Sequence, residues 1–118
     1  MIRIPDSDRI EVRLADGAAN PYLLQAALIG AGLWGVENQV NPGKRLDIDM
    51  YAEGHKVQNA PKLPLNLLDA LRAFQKNKTL QGILGSEFAD SYFKLKMDEW
   101  NRYMQHFSEW ERQNALDV

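Results

Sequence analysis

The sequence has no cysteine, which excludes disulfides and thiolate metal sites and fits a reducing cytoplasm. It has two histidines, His55 and His106, too far apart in sequence to imply a joint site, and no other His or Cys that could complete a zinc centre. Each reads first as a solvated histidine. A one-sided charge is also missing. Fourteen Lys and Arg stand against sixteen Asp and Glu, a formal net charge of -2, so there is no general field to attract nucleic acid or an acidic membrane. Long apolar runs are absent too: the longest, from Tyr22 to Leu33, is broken by Gln25 and is too short to span a bilayer. No apolar signal segment follows Met1. There is no GxGxxG, no phosphate-binding P-loop and no G-x-S-x-G elbow.

What remains is a chain of 118 residues, sized for one domain, with an ordinary 45% of hydrophobic and 25% of charged residues. Residues 9–14 alternate: Ile10, Val12 and Leu14 face one way, Arg9, Glu11 and Arg13 the other, as on a half-buried strand. Ile2 and Ile4 suggest a preceding strand, with Pro5-Asp6-Ser7-Asp8 as the turn. Asn20-Pro21 signals a helix start, and the helix is expected to run to about Leu33 and to end at Gly32 and Gly35. Apolar all round, it reads as a buried helix, with Ile10, Val12 and Leu14 packed beneath it.

Residues 36–63 carry Pro42, Gly43, Gly54 and Pro61 without a sustained period and read as a long ordered loop. From Pro64 the pattern is helical. Leu67, Ala70, Leu71 and Phe74 make one stripe, and a short helix near Leu80–Leu84 stops at Gly85. Ser86 is expected to cap a long helix whose stripe is Ala89, Phe93, Met97, Trp100, Met104 and Phe107, a core or interface face packed on the 64–76 or the 21–33 helix. Ser108 and Glu111 fit a capping box, so the helix should break there and a last short helix follow. The fold expected is α+β and mostly helical: one or two strands, then four or five helices.

The Arg9-Glu11-Arg13 row has two readings. By residue type alone a carboxylate between two guanidiniums is most often a surface charge ladder. The functional reading is a carboxylate ligand for a hard cation beside an arginine that clamps an anionic oxygen. Lys94, Lys96, Glu99 and Arg102 read as a solvated face.

The order of motifs chooses between them. Arg3-Ile4-Pro5, Arg9-Ile10-Glu11-Val12-Arg13, Ala19-Asn20-Pro21-Tyr22-Leu23 and Ala31-Gly32-Leu33 together resemble the C-terminal part of glutamine synthetase. Leu63-Pro64-Leu65-Asn66-Leu67, Leu84-Gly85, Glu99-Trp100 and Trp110-Glu111 resemble that family's last helices, and Leu46–Pro64 is most similar to its divergent third bacterial type. The resemblance spans essentially the whole chain. Trp34 and Gln39 depart from the family's usual Asp and Lys.

The resemblance implies ATP-dependent ligation of ammonia to glutamate: ATP phosphorylates the glutamate side chain, ammonia displaces the phosphate, and two Mg²⁺ or Mn²⁺ ions hold the phosphates. It implies that Glu11 is a metal ligand, that Arg13 is catalytic and contacts the transferred phosphate and the substrate carboxyl, and that Arg3 lies near the ATP phosphates. It also implies that residues 1–118 are one C-terminal portion of the catalytic domain without the N-terminal grasp domain, inactive alone, located in the cytoplasm. The chain is expected to self-associate or to join other glutamine synthetase subunits, without nucleic-acid or membrane partners. The alternative is a non-catalytic helical interaction module that binds or competes with full-length subunits.

Overall fold

A computed structural model describes residues 2–58 and 61–115. The chain divides into two compact units, the boundary falling between Val40 and Asn41.

The first unit holds a hairpin and a helix. Strands β1 (Ile2–Asp6) and β2 (Arg9–Val12) pair antiparallel, so both anticipated strands are present and Ser7-Asp8 forms the turn. The register has one irregularity. Ile2 faces Val12 and Arg3 faces Glu11, yet Asp6, not Pro5, faces Arg9. One extra residue on β1 is therefore absorbed between Arg3 and Asp6, a β-bulge at Ile4-Pro5. Proline explains it: with no N–H to give the ladder, it is tolerated in strands at edges and bulges.

Helix α1 (Pro21–Glu37) begins where Asn20-Pro21 puts it. The Asn20 side-chain oxygen accepts from the N–H groups of Tyr22 at 3.0 Å and Leu23 at 3.2 Å, satisfying two of the helix's unpaired donors. Its end falls later than expected. Gly32 and Gly35 keep negative φ and stay helical, and the chain turns instead at Gln39, whose φ is 49°. There the Gln39 N–H donates to Val36 O at 3.1 Å and the Val40 N–H to Gly35 O at 2.9 Å, which closes the last turn as a Schellman motif. Glycine is the usual residue for that left-handed position, so glutamine there gave no stop signal.

The expected packing of β2 under α1 is not observed. Ile10 is 65% exposed and Leu14 47%, Leu14 lies beyond the end of β2, and α1 has no buried residue. The pattern was read correctly as apolar on every side, but within this unit nothing covers it. Burial needs a partner surface as well as an apolar sequence.

The second unit carries the core. Of the stretch expected as a long loop, 36–63, residues Val36 and Glu37 belong to the last turn of α1, and the described residues from Asn41 on hold two short elements absent from the sequence reading, helix α2 (Met50–Glu53), capped by Asp49, and a 3-10 turn at Gly54–Lys56. Helix α3 (Leu67–Lys76) is capped by Asn66, whose side chain accepts from the Asp69 N–H at 2.9 Å. Helix α4 (Lys78–Leu84) follows Asn77. Gly85, at φ 91°, ends it and is also the residue before α5 (Ser86–Met104). Ser86 is thus inside the first turn of α5 and makes no cap, a one-residue correction that the left-handed glycine explains.

Helices α3, α4 and α5 pack together, with Leu71 and Ala89 as the buried side chains among the described residues. Phe74 of α3 meets Tyr92 of α5 edge-on at 6.1 Å, a ring contact across the α3–α5 seam, and Tyr92 stacks at 5.8 Å on Phe88, one turn earlier on its own helix. The α5 stripe is graded. Ala89 is buried, Phe93, Met97 and Trp100 are half-buried, Met104 at the end of the helix is exposed, and Phe107, expected on the same helix, lies beyond its end and is exposed. Trp100, expected in the core, lies against Tyr103 at 5.7 Å on its own helix.

The break after α5 is where the capping box put it. Ser108 and Glu111 bond reciprocally: Glu111 accepts from the Ser108 N–H at 2.8 Å and hydroxyl at 2.7 Å, and the Glu111 N–H donates to the Ser108 hydroxyl at 3.3 Å. Helix α6 (Glu109–Ala115) follows. The Ser108 N–H, then its hydroxyl, hold the Glu111 carboxyl below the ordinary glutamate range, and His106 adds to this. A depressed folded value means the cap stabilises α6 above the ordinary glutamate range and is lost as pH falls through the lowered value. Acid titration should therefore fray α6 at a lower pH than a free glutamate would dictate. Amide exchange over 109–115 measures it, and Glu111→Gln should remove the pH dependence.

Candidate functional site: a charged hairpin face

The site begins with a pleat. Directly opposed residues share a face, so the Arg3–Glu11 and Asp6–Arg9 pairs put four charges of alternating sign on one side of the hairpin. Arg3 Nη1 lies 3.5 Å from Glu11 Oε2. Arg9 Nη2 lies 3.7 Å from Glu11 Oε1 and 3.2 Å from Asp6 Oδ2, so a single nitrogen serves two carboxylates. The order across the face is Arg3, Glu11, Arg9, Asp6.

Each pair is open to solvent. The Glu11 side chain is 36% exposed, and those of Arg3 and Arg9 more so, which holds each pair to about 1 kcal/mol at most. Stability alone gives little reason for this row. Its chemical content is a carboxylate with accessible lone pairs, held between guanidiniums that suit phosphate or carboxylate oxygens.

Of the expected site residues, Arg3 and Glu11 are brought together across the strands. Arg13 follows the last residue of β2, exposed and beyond the paired register. The part the sequence reading missed is Asp6, which was assigned to the turn and is the last residue of β1. The available signal was Pro5: a proline inside a strand pattern announces a bulge, and a bulge moves its neighbour to the other face.

As a metal site the face is partial. The donor chemistry of Glu11 fits one oxygen ligand of a hard cation. Among the described residues no group of three or more His, Cys, Asp or Glu could hold a metal. His55 lies in the 3-10 turn, and His106 lines a hollow of about 250 Å³ at the α5–α6 junction with Tyr103, Met104, Ser108, Trp110 and Glu111, which includes none of Arg3, Glu11 or Arg13. On the solvated face of α5, Lys96 pairs with Glu99 at 2.6 Å, a bond that raises the Lys96 pKa, and Arg102 pairs with Asp98 at 3.1 Å. Among the described residues no helix is long and apolar enough to cross a membrane.

A solvated charged hairpin, an Asn-capped apolar helix and a helical unit with a small core make up the described α+β chain. The family model described as "Glutamine synthetase, catalytic domain" matches residues 1–115. Over 118 residues the chain is 58% identical to a glutamine synthetase of Rhizobium leguminosarum bv. phaseoli, covering all of this chain and 27% of that one. It is 39% identical over 125 residues to a glutamate–methylamine ligase of Methyloversatilis universalis, covering 99% of this chain and 27% of that one. A solved structure described as "Apo GmaS without ligand" superposes with a TM-score of 0.92 at 55% identity, covering 100% of this chain and 28% of its own. The chain belongs to the glutamine synthetase family. It spans about a quarter of the length of the curated relatives it matches.

Proposed function

We propose that this chain is the C-terminal portion of a glutamine synthetase catalytic domain and supplies one wall of the site at which ammonia is ligated to glutamate at the expense of ATP. The observation that carries the reading is the cross-strand pair of Arg3 and Glu11 on an exposed face, in a chain matched by the catalytic-domain model over residues 1–115.

The residue roles are those that the family resemblance implies, and the chemistry of each side chain suits its role. Glu11 gives a carboxylate oxygen to a Mg²⁺ or Mn²⁺ ion; the ion, when bound, neutralises phosphate charge during transfer. Arg13 contacts the transferred phosphate and the substrate carboxyl, and Arg3 faces the ATP phosphates; guanidinium forks suit both kinds of oxygen. The paired strands hold Arg3 and Glu11 on a rigid element, as positioning demands, and Arg13 follows directly after β2. The remaining ligands, the nucleotide pocket and the ammonia site belong to the rest of the catalytic domain. Working in the cytoplasm, the full-length enzyme is a ring of subunits with sites shared between neighbours. The exposed apolar side chains of α1, Leu28, Ile29, Leu33, Trp34 and Val36, support burial against further protein and self-association of the isolated chain. A second reading, with methylamine in place of ammonia, is favoured by the relative named for that ligase.

The test is a chimera. This chain replaces the matching segment of the Rhizobium leguminosarum enzyme, and the purified protein is given glutamate, ATP and either amine. Glutamine or the methylamide, formed at a rate within about tenfold of the parent, supports the proposal. A folded chimera that forms neither refutes it.

A further inference from the structure

The bulge at Ile4-Pro5 changes which residue stands beside Arg9. An unbroken register starting from Arg3–Glu11 would set Pro5 opposite Arg9, and Arg9 would then have Glu11 as its one carboxylate on that face. The extra residue sets Asp6 there instead. Arg9 Nη2 lies nearer Asp6, at 3.2 Å, than Glu11, at 3.7 Å. Arg3 stands off at 3.5 Å on the second carboxylate oxygen of Glu11. Both contacts to Glu11 are longer than the 2.7–2.9 Å of a close charge-assisted hydrogen bond.

We propose that Asp6 is a positioning residue: it draws the Arg9 guanidinium toward itself and so leaves the Glu11 carboxylate free to take a divalent cation. Two guanidiniums closed on Glu11 would compete with any metal for the same lone pairs and repel its charge. A carboxylate on the far side of Arg9 offsets that. The bulge is the device that supplies it, and Pro5 makes the bulge the low-cost register. The inference rests on the proposed role of Glu11 as a metal ligand and concerns Asp6, which that reading leaves unassigned.

The experiment follows Mn²⁺ titrated into the chain by paramagnetic broadening of side-chain resonances, with Arg9 Nε observed in parallel without metal. In the unaltered chain, broadening should centre on Glu11 and vanish in Glu11→Gln. Asp6→Asn should weaken Mn²⁺ binding roughly two- to five-fold, the range to which exposed ion pairs convert. Arg9→Gln should strengthen it by a similar factor, and opposite signs from two adjacent substitutions exclude simple damage to the hairpin. Without metal, the Arg9 Nε resonance should move in Asp6→Asn. If Glu11→Gln leaves the broadening unchanged, the ligand reading fails. If Glu11→Gln abolishes it while Asp6→Asn and Arg9→Gln change nothing, the ligand reading stands and the role of Asp6 is overturned. An Arg9 Nε resonance unmoved in Asp6→Asn overturns it without reference to metal.

Discussion

Glu11→Ala in the chimera described above is expected to lower amide formation by about 10²-fold or more, with the protein still folded. A metal that neutralises phosphate charge contributes several kcal/mol to the transition state, and each 1.36 kcal/mol is tenfold in rate. The structural cost runs on a smaller scale. Glu11 is partly exposed and its ion pairs with Arg3 and Arg9 are solvated, so leaving those arginines without it costs about 1 kcal/mol. An effect on rate that far exceeds the effect on unfolding assigns Glu11 to chemistry. Glu11→Gln, which keeps the volume and loses the charge, should behave the same way. A rate within tenfold of the chimera would return the row to the surface charge ladder that residue type alone suggests.

Leu71→Ala is expected to have the largest effect on stability, about 2–5 kcal/mol. Leu71 is 3% exposed on α3, which packs with α5, where Ala89, at 2%, is buried as well. A core this small cannot redistribute the loss, and natural domains hold only about 5–15 kcal/mol in total. The contrast is Leu95→Ala on the same seam helix. Leu95 is 62% exposed and should cost less than about 0.5 kcal/mol. Urea unfolding followed by circular dichroism compares them. Equal midpoints would show that the α3–α5 seam does not organise this unit.

Local chemistry was legible in the sequence, and relations between distant surfaces were not. Asn20 and Ser108–Glu111 act within three residues of themselves, so their caps were visible in the letters and recur in the hydrogen bonds. Gly85 stops α4 as read, because a left-handed turn is a single-residue property. The end of α1 was misread because Gln39 takes a conformation that its side chain does not advertise. Burial of β2 and α1 was misread for another reason: alternation and apolarity say which face is suited to cover, and they do not say whether the unit itself supplies that cover. The site divides along the same line. The face shared by Arg9 and Glu11 follows from a period of two, whereas Asp6 joins it through a register change that only the pairing of two strands reveals.

The central claim is that this chain carries one wall of a ligase site and not a whole one. Two divalent ions need several arranged oxygens, since Mg²⁺ gives up its waters reluctantly, and Glu11 offers one carboxylate. Phosphoryl transfer depends on positioning the nucleotide and excluding water, and the charged face of the hairpin is open to solvent. The measurement is direct: the purified chain, free of host enzyme, is given glutamate, ATP, ammonia and Mn²⁺, and glutamine is assayed by mass. The account predicts none above background. Glutamine that forms, and disappears in Glu11→Ala, would contradict it.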